Sequence, residues 1–293
     1  MASTSTEGAL EPRPAHRRRD RNNGRPPKRK ITKPKLSSDG LDRLIQVEVI
    51  PRLVAAHSVP GNADDAQHIS QDEADAFGSL PVKLEANELL TEVEVFLTRG
   101  VSPESIFVDL LAPSARKLGE LWEEDSADFV EVTMGLWRLQ EVMREIALRT
   151  PSIAGRIFAP RSALIASMPG EQHSFGTVMV EECFSRAGWD TELLANSNEQ
   201  ILADKLGEQV FDLVGLTISC DYHIQPLPNL IRTLRNSSKN ADVQIMIGGR
   251  VPNENPGLAE VVGADGTAAN ARTAIEVADE LVAEFAPDGA FSS

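Results

Sequence analysis

Residues 162–176 read SALIASMPGEQHSFG, and this stretch decides the fold. Its first seven residues, Ser162–Met168, form a short apolar run closed by Pro169 and Gly170. That is the pattern of a strand buried on both faces. The polar turn after it leads into a helix over 172–187. The same unit then recurs. WDTELL (189–194), DLVGLTIS (212–219) and VQIMIGG (243–249) are strands, followed by helices over 198–209, 224–236 and 256–262. A short strand near Asp265–Thr267 precedes a last helix over 269–285. Five strands alternating with helices predict a parallel, doubly wound α/β sheet. Ligands of such sheets bind beyond the carboxyl ends of the strands. Polar and Gly-rich residues collect there: Pro169–Gly176, Thr217–Asp221 and Gly248–Arg250.

Upstream of residue 160 the apolar period is helical. Leu84, Leu89, Leu90, Val93, Phe96 and Leu97 mark one amphipathic helix ending near Gly100. Ser102, Pro103 and Glu104 are a helix start, with an N-cap and then Pro at the first helical position. Pro113 predicts a kink or a split in that segment. Asp128 with Glu131 three residues later is a capping box with Asp in the cap. Phe129, Val132, Leu136, Leu139, Met143 and Ile146 then form a seam facing partner helices. The organisation expected is a disordered basic arm over 1–38, a short helix over 39–57, an acidic linker over 58–80, a helical bundle over 81–155 and the α/β domain over 160–286.

The 293 residues are 41% hydrophobic and only 5% aromatic, so the core must be mostly aliphatic. The apolar runs fall far short of the ~20 residues of a membrane span, and the first residues lack the apolar core of a secretory signal. Two cysteines without a CxxC pair exclude a disulfide scaffold and a Cys-rich zinc site. A cytoplasmic setting fits. The net charge of −15 hides an asymmetry. Residues 1–36 hold eleven Lys/Arg and three acids, a net +8, which leaves −23 on the remainder. No aromatic is interleaved in the arm, so base stacking is not its mode. Arg17, Arg18, Arg19, Lys28, Arg29 and Lys30 suit neutralisation of a DNA backbone, and six such contacts give a salt slope of roughly −5. A solubilising tail that folds back on the acidic body is the plainer reading.

His173 is the one histidine of five placed at the end of a buried strand. A neutral imidazole there can ligate a metal through one nitrogen, provided the other has a partner that fixes the tautomer. Glu171, or a hydroxyl of Thr217 or Ser219, can be that partner. A helix-start histidine bonding the backbone is the bland alternative. Gly176 permits close approach in the first turn after the loop, and Gly248–Gly249 does so at the end of the fourth strand. No GxGxxG and no GKS or GKT follows a strand, so a phosphate loop is not indicated. Cys220 near His223 lacks an orienting third group, and no catalytic residues are expected.

Together the pieces carry a resemblance. Glu171-x-His173-x-x-Gly176, about 40 residues, Thr217-x-Ser219, 28 residues and Gly248–Gly249 resemble the DxHxxG…SxL…GG pattern of cobalamin-binding domains. The departures are Glu for Asp and Thr-Ile-Ser for Ser-x-Leu. The resemblance implies cobalamin as cofactor, in the hydroxo or aquo form. It implies His173 as lower cobalt ligand, Glu171 behind it, and Gly176, Thr217, Ser219, Gly248 and Gly249 around a nucleotide tail threaded into the sheet. The segment LLAPSARKLGELWEED is similar to the helical cap of those proteins, with Trp122 as the Trp over the upper corrin face. Photoreceptor caps that hold adenosylcobalamin carry Glu-His about eleven residues later. Here Val132 and Thr133 stand there. More narrowly, LIQVEVIPRLVAAH, WEEDSADFVEVTMGLWRLQ and IGGRVPNENPGLAEVVGAD resemble the PpaA/AerR antirepressors of purple photosynthetic bacteria and the C-terminal domain of AppA-type antirepressors. That likeness implies a light- or redox-responsive regulator of photosystem genes acting on a repressor protein, on DNA, or on both, and not an enzyme. A corrinoid carrier for methyl transfer is the alternative, and a haem sensor through His173 ranks below both.

Overall fold

The computed structural model describes residues 68–151 and 161–284. The basic arm, the helix over 39–57 and part of the linker lie outside the described residues.

The helical part begins earlier than the sequence suggests. Within the acidic stretch expected to be linker, α1 spans Gln71–Gly78, followed by a 3-10 turn over Leu80–Val82. A capping box starts α1: the Ser70 hydroxyl accepts from the Glu73 N–H, and the Glu73 carboxylate accepts from the Ser70 N–H. The helix is only eight residues long and buries Ala74, Phe77 and Gly78 alone, so it lacks the long apolar seam that marks the later helices. Arg99 donates to the Glu73 carboxylate at 2.5 Å. That bond, with the Ser70 N–H next, outweighs a small burial effect and lowers the Glu73 pKa to about 2. A folded-state pKa below the unfolded one stabilises above about pH 4.5 and is lost as pH falls toward 2. The stability difference between wild type and Glu73→Gln is therefore expected to shrink over that interval in melts recorded against pH. Its size is at most about 1 kcal/mol, because the pair is exposed.

Helix α2 spans Ala86–Thr98. One α-turn, Pro103–Ser105, capped by Ser102, then passes into a π-helix over Ile106–Leu111 and on to α3, Ala112–Glu123. Pro113 does not interrupt this run. The wider π-turn runs directly into α3, whose second residue is the proline, and the helix continues through it. Helix α4, Phe129–Arg149, carries the full Asp128/Glu131 capping box. Leu139, Met143 and Ile146 of its seam are buried. Phe129 is instead 68% exposed, since the first turn of α4 projects past its partners; its ring meets Trp122 edge to face.

The described α/β residues form a five-stranded parallel sheet in the order β2-β1-β3-β4-β5. The strands are β1 Ser162–Ser167, β2 Asp190–Leu194, β3 Leu213–Thr217, β4 Gln244–Gly248 and β5 Gly266–Thr267. The helices are α5 Phe175–Arg186, α6 Glu199–Glu208, α7 Leu227–Ser237, α8 Arg250–Glu254, α9 Leu258–Val262 and α10 Ala271–Glu284. Side chains alternate between the two faces of the sheet. Leu164, Val214, Leu216, Ile245 and Ile247 pack with α6, α7 and α9. Ala163, Ile165, Leu213 and Met246 pack with α5 and α10.

The register on this second face matters for function. Ile165, Gly215 and Met246 form one rung across β1, β3 and β4, and Ser167, Thr217 and Gly248 form the next. Side-chain bulk thus falls away toward the carboxyl ends of the strands, under α5 and α10. The helical part shares a core with these two helices through Phe175, Met179, Cys183 and Ala271. Arg272 clasps Asp109 of the π-helix at 2.8 Å, and Arg186 binds Glu104 at 3.2 Å and the Thr150 carbonyl at 2.6 Å.

Candidate functional site

The order of the sheet reverses between β1 and β3, so the loops after these strands diverge and leave a crevice. A cavity of about 910 Å³ opens there. That volume lies toward the upper end for small-molecule sites. The cavity is a groove along the second face. Ile165, Leu213, Gly215, Thr217, Met246 and Gly248 line it from the sheet, Gly176, Met179 and Phe184 from α5, and Ala271 and Ala274 from α10. Its other wall is helical: Val108, Ala112, Ala115, Gly119 and Trp122 follow one face of the π-helix and α3, and Leu136 comes from α4.

Of the residues singled out from sequence, His173, Gly176, Thr217, Ser219, Gly248, Gly249 and Trp122 all line this cavity. Trp122 is half exposed at its rim and does not pack into the core. Val132 is packed among the helices, and Thr133 is exposed. A Cβ added at Gly176 or Gly248 meets nothing within 4 Å, so both positions border open space.

Glu171 proves to be the partner of His173. Its Oε1 lies 2.5 Å from the imidazole Nδ1 and accepts the His173 backbone N–H at 3.0 Å, while Oε2 accepts the Ser219 N–H at 3.0 Å. The Glu171 side chain is fully buried and the imidazole is 63% exposed. Burial alone pushes the Glu171 carboxyl up. The His173 N–H and ring, with the Ser219 N–H, outweigh it and hold the pKa below its ordinary value. An ionised Glu171 accepts only, so the proton of a neutral His173 sits on Nδ1 and the lone pair on Nε2. That is the tautomer a ligating histidine needs. Ser219 thus contributes its backbone, and Thr217 is engaged elsewhere. The Thr217 hydroxyl lies 2.5 Å from that of Thr177, which lies 2.7 Å from that of Ser167.

Two residues beside the site went unassigned from sequence. Cys220 Sγ lies 3.7 Å from His173 Nδ1 and 3.8 Å from Glu171 Oε1. Burial, then the Glu171 charge, pushes its thiol pKa up. His223 is buried against Glu171, its Nε2 3.6 Å from Oε2, and that nitrogen has no hydrogen-bond partner among the described residues. Their proximity to each other in sequence was visible, but their convergence on Glu171 was not.

The donor set and the open cradle fit a corrinoid: a histidine held in its ligating tautomer stands at the mouth, and a groove floored by small residues lies beside it. Comparison with known proteins agrees. Residues 161–276 match the family model described as the B12 binding domain. A Rhodobacter capsulatus protein, described as an uncharacterized 20.5 kDa protein in the bchF-crtJ intergenic region, is 26% identical over 172 residues, 58% of this chain and 88% of that one. The structure of the Methanosarcina barkeri monomethylamine corrinoid protein aligns with a TM-score of 0.59 at 20% identity, over 73% of this chain and 100% of that chain. At that identity the likeness is one of fold. With its histidine, its glycines and its groove in place, the stretch from 161 to 276 is a B12-binding domain.

Proposed function

We propose that this chain binds a hydroxo- or aquo-cobalamin between its helical cap and its sheet, and that it acts as a light- or redox-responsive antirepressor of photosystem genes. The observation that carries the cofactor part is the groove, which runs from His173 along the second sheet face between α5 and α10. His173 would offer Nε2 to the cobalt, Glu171 would hold the ring, and Gly176, Thr217 and Gly248 would leave room for the nucleotide tail, with Gly249 letting the β3 and β4 ends close beside it. Trp122 shields the cap side. When bound, the cofactor would supply a light- and redox-sensitive cobalt centre. The regulatory part rests on the sequence resemblance and on the gene position named for the Rhodobacter relative. The basic arm, through Arg17, Arg18, Arg19, Lys28, Arg29 and Lys30, would meet DNA, and the body a repressor protein. The chain is read as a cytoplasmic binding module with no catalytic residues of its own; among the described residues no helix is long and apolar enough to cross a membrane.

The test begins with hydroxocobalamin added to the purified chain, then desalting and a spectrum. About one equivalent should be retained. His173→Ala should change the spectrum and weaken binding at least tenfold, about 1.4 kcal/mol. An identical spectrum in the variant ends the axial role. Loaded protein is then added to a repressor–DNA complex in dark and light. Complex release that differs between the two supports the regulator; no release in either rejects it. The fold likeness to a corrinoid protein keeps the carrier reading as the alternative. Methyl transfer to and from the reduced, loaded chain would favour it.

A further inference from the structure

Glu171 Oε1, His173 Nδ1 and Cys220 Sγ converge from two loops and lie within 4.8 Å of one another. We infer that these three side chains form a binding site for a zinc-type divalent ion, with His223 as the outer partner of the Glu171 carboxylate.

The donors decide the class of ion. One imidazole nitrogen, one thiolate and one carboxylate suit zinc, whereas magnesium and calcium take oxygen ligands. Zinc bonds of about 2.0–2.3 Å place tetrahedral ligand atoms roughly 3.3–3.7 Å apart. Cys220 already stands 3.7 Å from His173 Nδ1 and 3.8 Å from Glu171 Oε1. Only the Glu171–His173 contact, at 2.5 Å, must open. The exposed His173 ring has the freedom to do so, and the buried Glu171 stays fixed by the Ser219 N–H. Water completes the fourth position.

His223 is the independent observation. It is 4% exposed, and its Nε2 has no partner among the described residues while it faces Glu171 Oε2 at 3.6 Å. Metal-ligating carboxylates are themselves held by hydrogen bonds. A shift of roughly half an ångström gives Nε2–H a normal bond to Oε2, which satisfies a buried group that is otherwise orphaned.

The bonds balance simply. The Cys220 thiol releases its proton to the buffer as the sulfur–metal bond forms. The His173 proton moves from Nδ1 to Nε2 as Nδ1 takes the ion. That second shift has a consequence resting on the cobalamin reading: zinc leaves His173 in the tautomer that cannot ligate cobalt through Nε2. Zinc at this site and histidine ligation of cobalt therefore oppose each other.

The full-length chain, purified without cobalamin and stripped with a chelator, is titrated with zinc, and separately with cobalt(II) ion as a spectroscopic probe. About one zinc per chain should bind with proton release. Cobalt(II) should give a near-ultraviolet sulfur-to-metal charge-transfer band that Cys220→Ala abolishes. Zinc affinity should fall at least tenfold in Cys220→Ala and about tenfold in His223→Phe. Cys220 is half-buried on a loop, so its variant keeps the fold, which circular dichroism checks. No charge-transfer band, or zinc affinity unchanged by both substitutions, overturns the site. Hydroxocobalamin is then added with and without zinc; identical bound spectra overturn the antagonism. Failure of cobalamin to bind at all would sink the cofactor reading and leave the zinc titration standing.

Discussion

Leucine at Gly176 or Gly248 is expected to abolish cobalamin retention and leave the cofactor-free chain as stable as wild type. Both glycines line the groove, and an added Cβ meets nothing within 4 Å at either. A leucine side chain therefore projects into space that the folded chain leaves open. At Gly176, in the first turn of α5, the exchange also removes the conformational cost of glycine in a helix, ~1 kcal/mol. The thermal midpoint should stay level or rise. The cofactor loses the same space, so affinity should fall by about 100-fold or more, or ~2.8 kcal/mol. Calorimetric titration with hydroxocobalamin beside a thermal melt reads both quantities. Undiminished binding in both variants would show that the groove is not where the cofactor lies.

Gly249→Ala should give the opposite pattern, a large loss of stability before any ligand is added. Gly249 has φ +103°, and a Cβ there would stand 2.6 Å from the Ile218 carbonyl oxygen and 3.0 Å from its nitrogen. Those atoms are backbone and are committed. The Ile218 N–H donates to the Gly248 carbonyl at 2.8 Å, and the Ile218 carbonyl accepts from Val251 N–H at 3.2 Å. Relief requires the ends of β3 and β4 to part. Conformational strain together with overpacking puts the cost at about 3 kcal/mol or more. Urea unfolding measures it directly. A loss below ~1 kcal/mol would mean that the β3–β4 loop pair is far more yielding than its hydrogen bonds indicate.

The contrast between neighbouring glycines shows how far the sequence could be read. The glycine pair is visible in the letters, and so is its place at the end of a strand. Which glycine guards the backbone and which guards the cavity depends on what stands opposite, and Ile218 is some 30 residues away. The central strands β1, β3 and β4 were legible because parallel strands covered on both faces are nearly continuous apolar runs. Helix α1 was not, because QDEADAFG buries little and its cap is a short polar signal. Phe129 fits the α4 seam by period, yet period does not say where a helix outruns its partners.

By itself, then, the sequence determined the alternation of strands and helices, the capped helices ahead of them, and a histidine, a carboxylate and glycines at strand ends. These are local matters of period, turn chemistry and capping, each settled within a dozen residues. Only the tertiary structure decided that Glu171 holds His173, that Ser219 serves through its backbone, that Cys220 and His223 gather on the same carboxylate, and that small residues of three strands align into one groove. Those outcomes follow from strand order and register, which bring loops some fifty residues apart together where the sheet reverses direction.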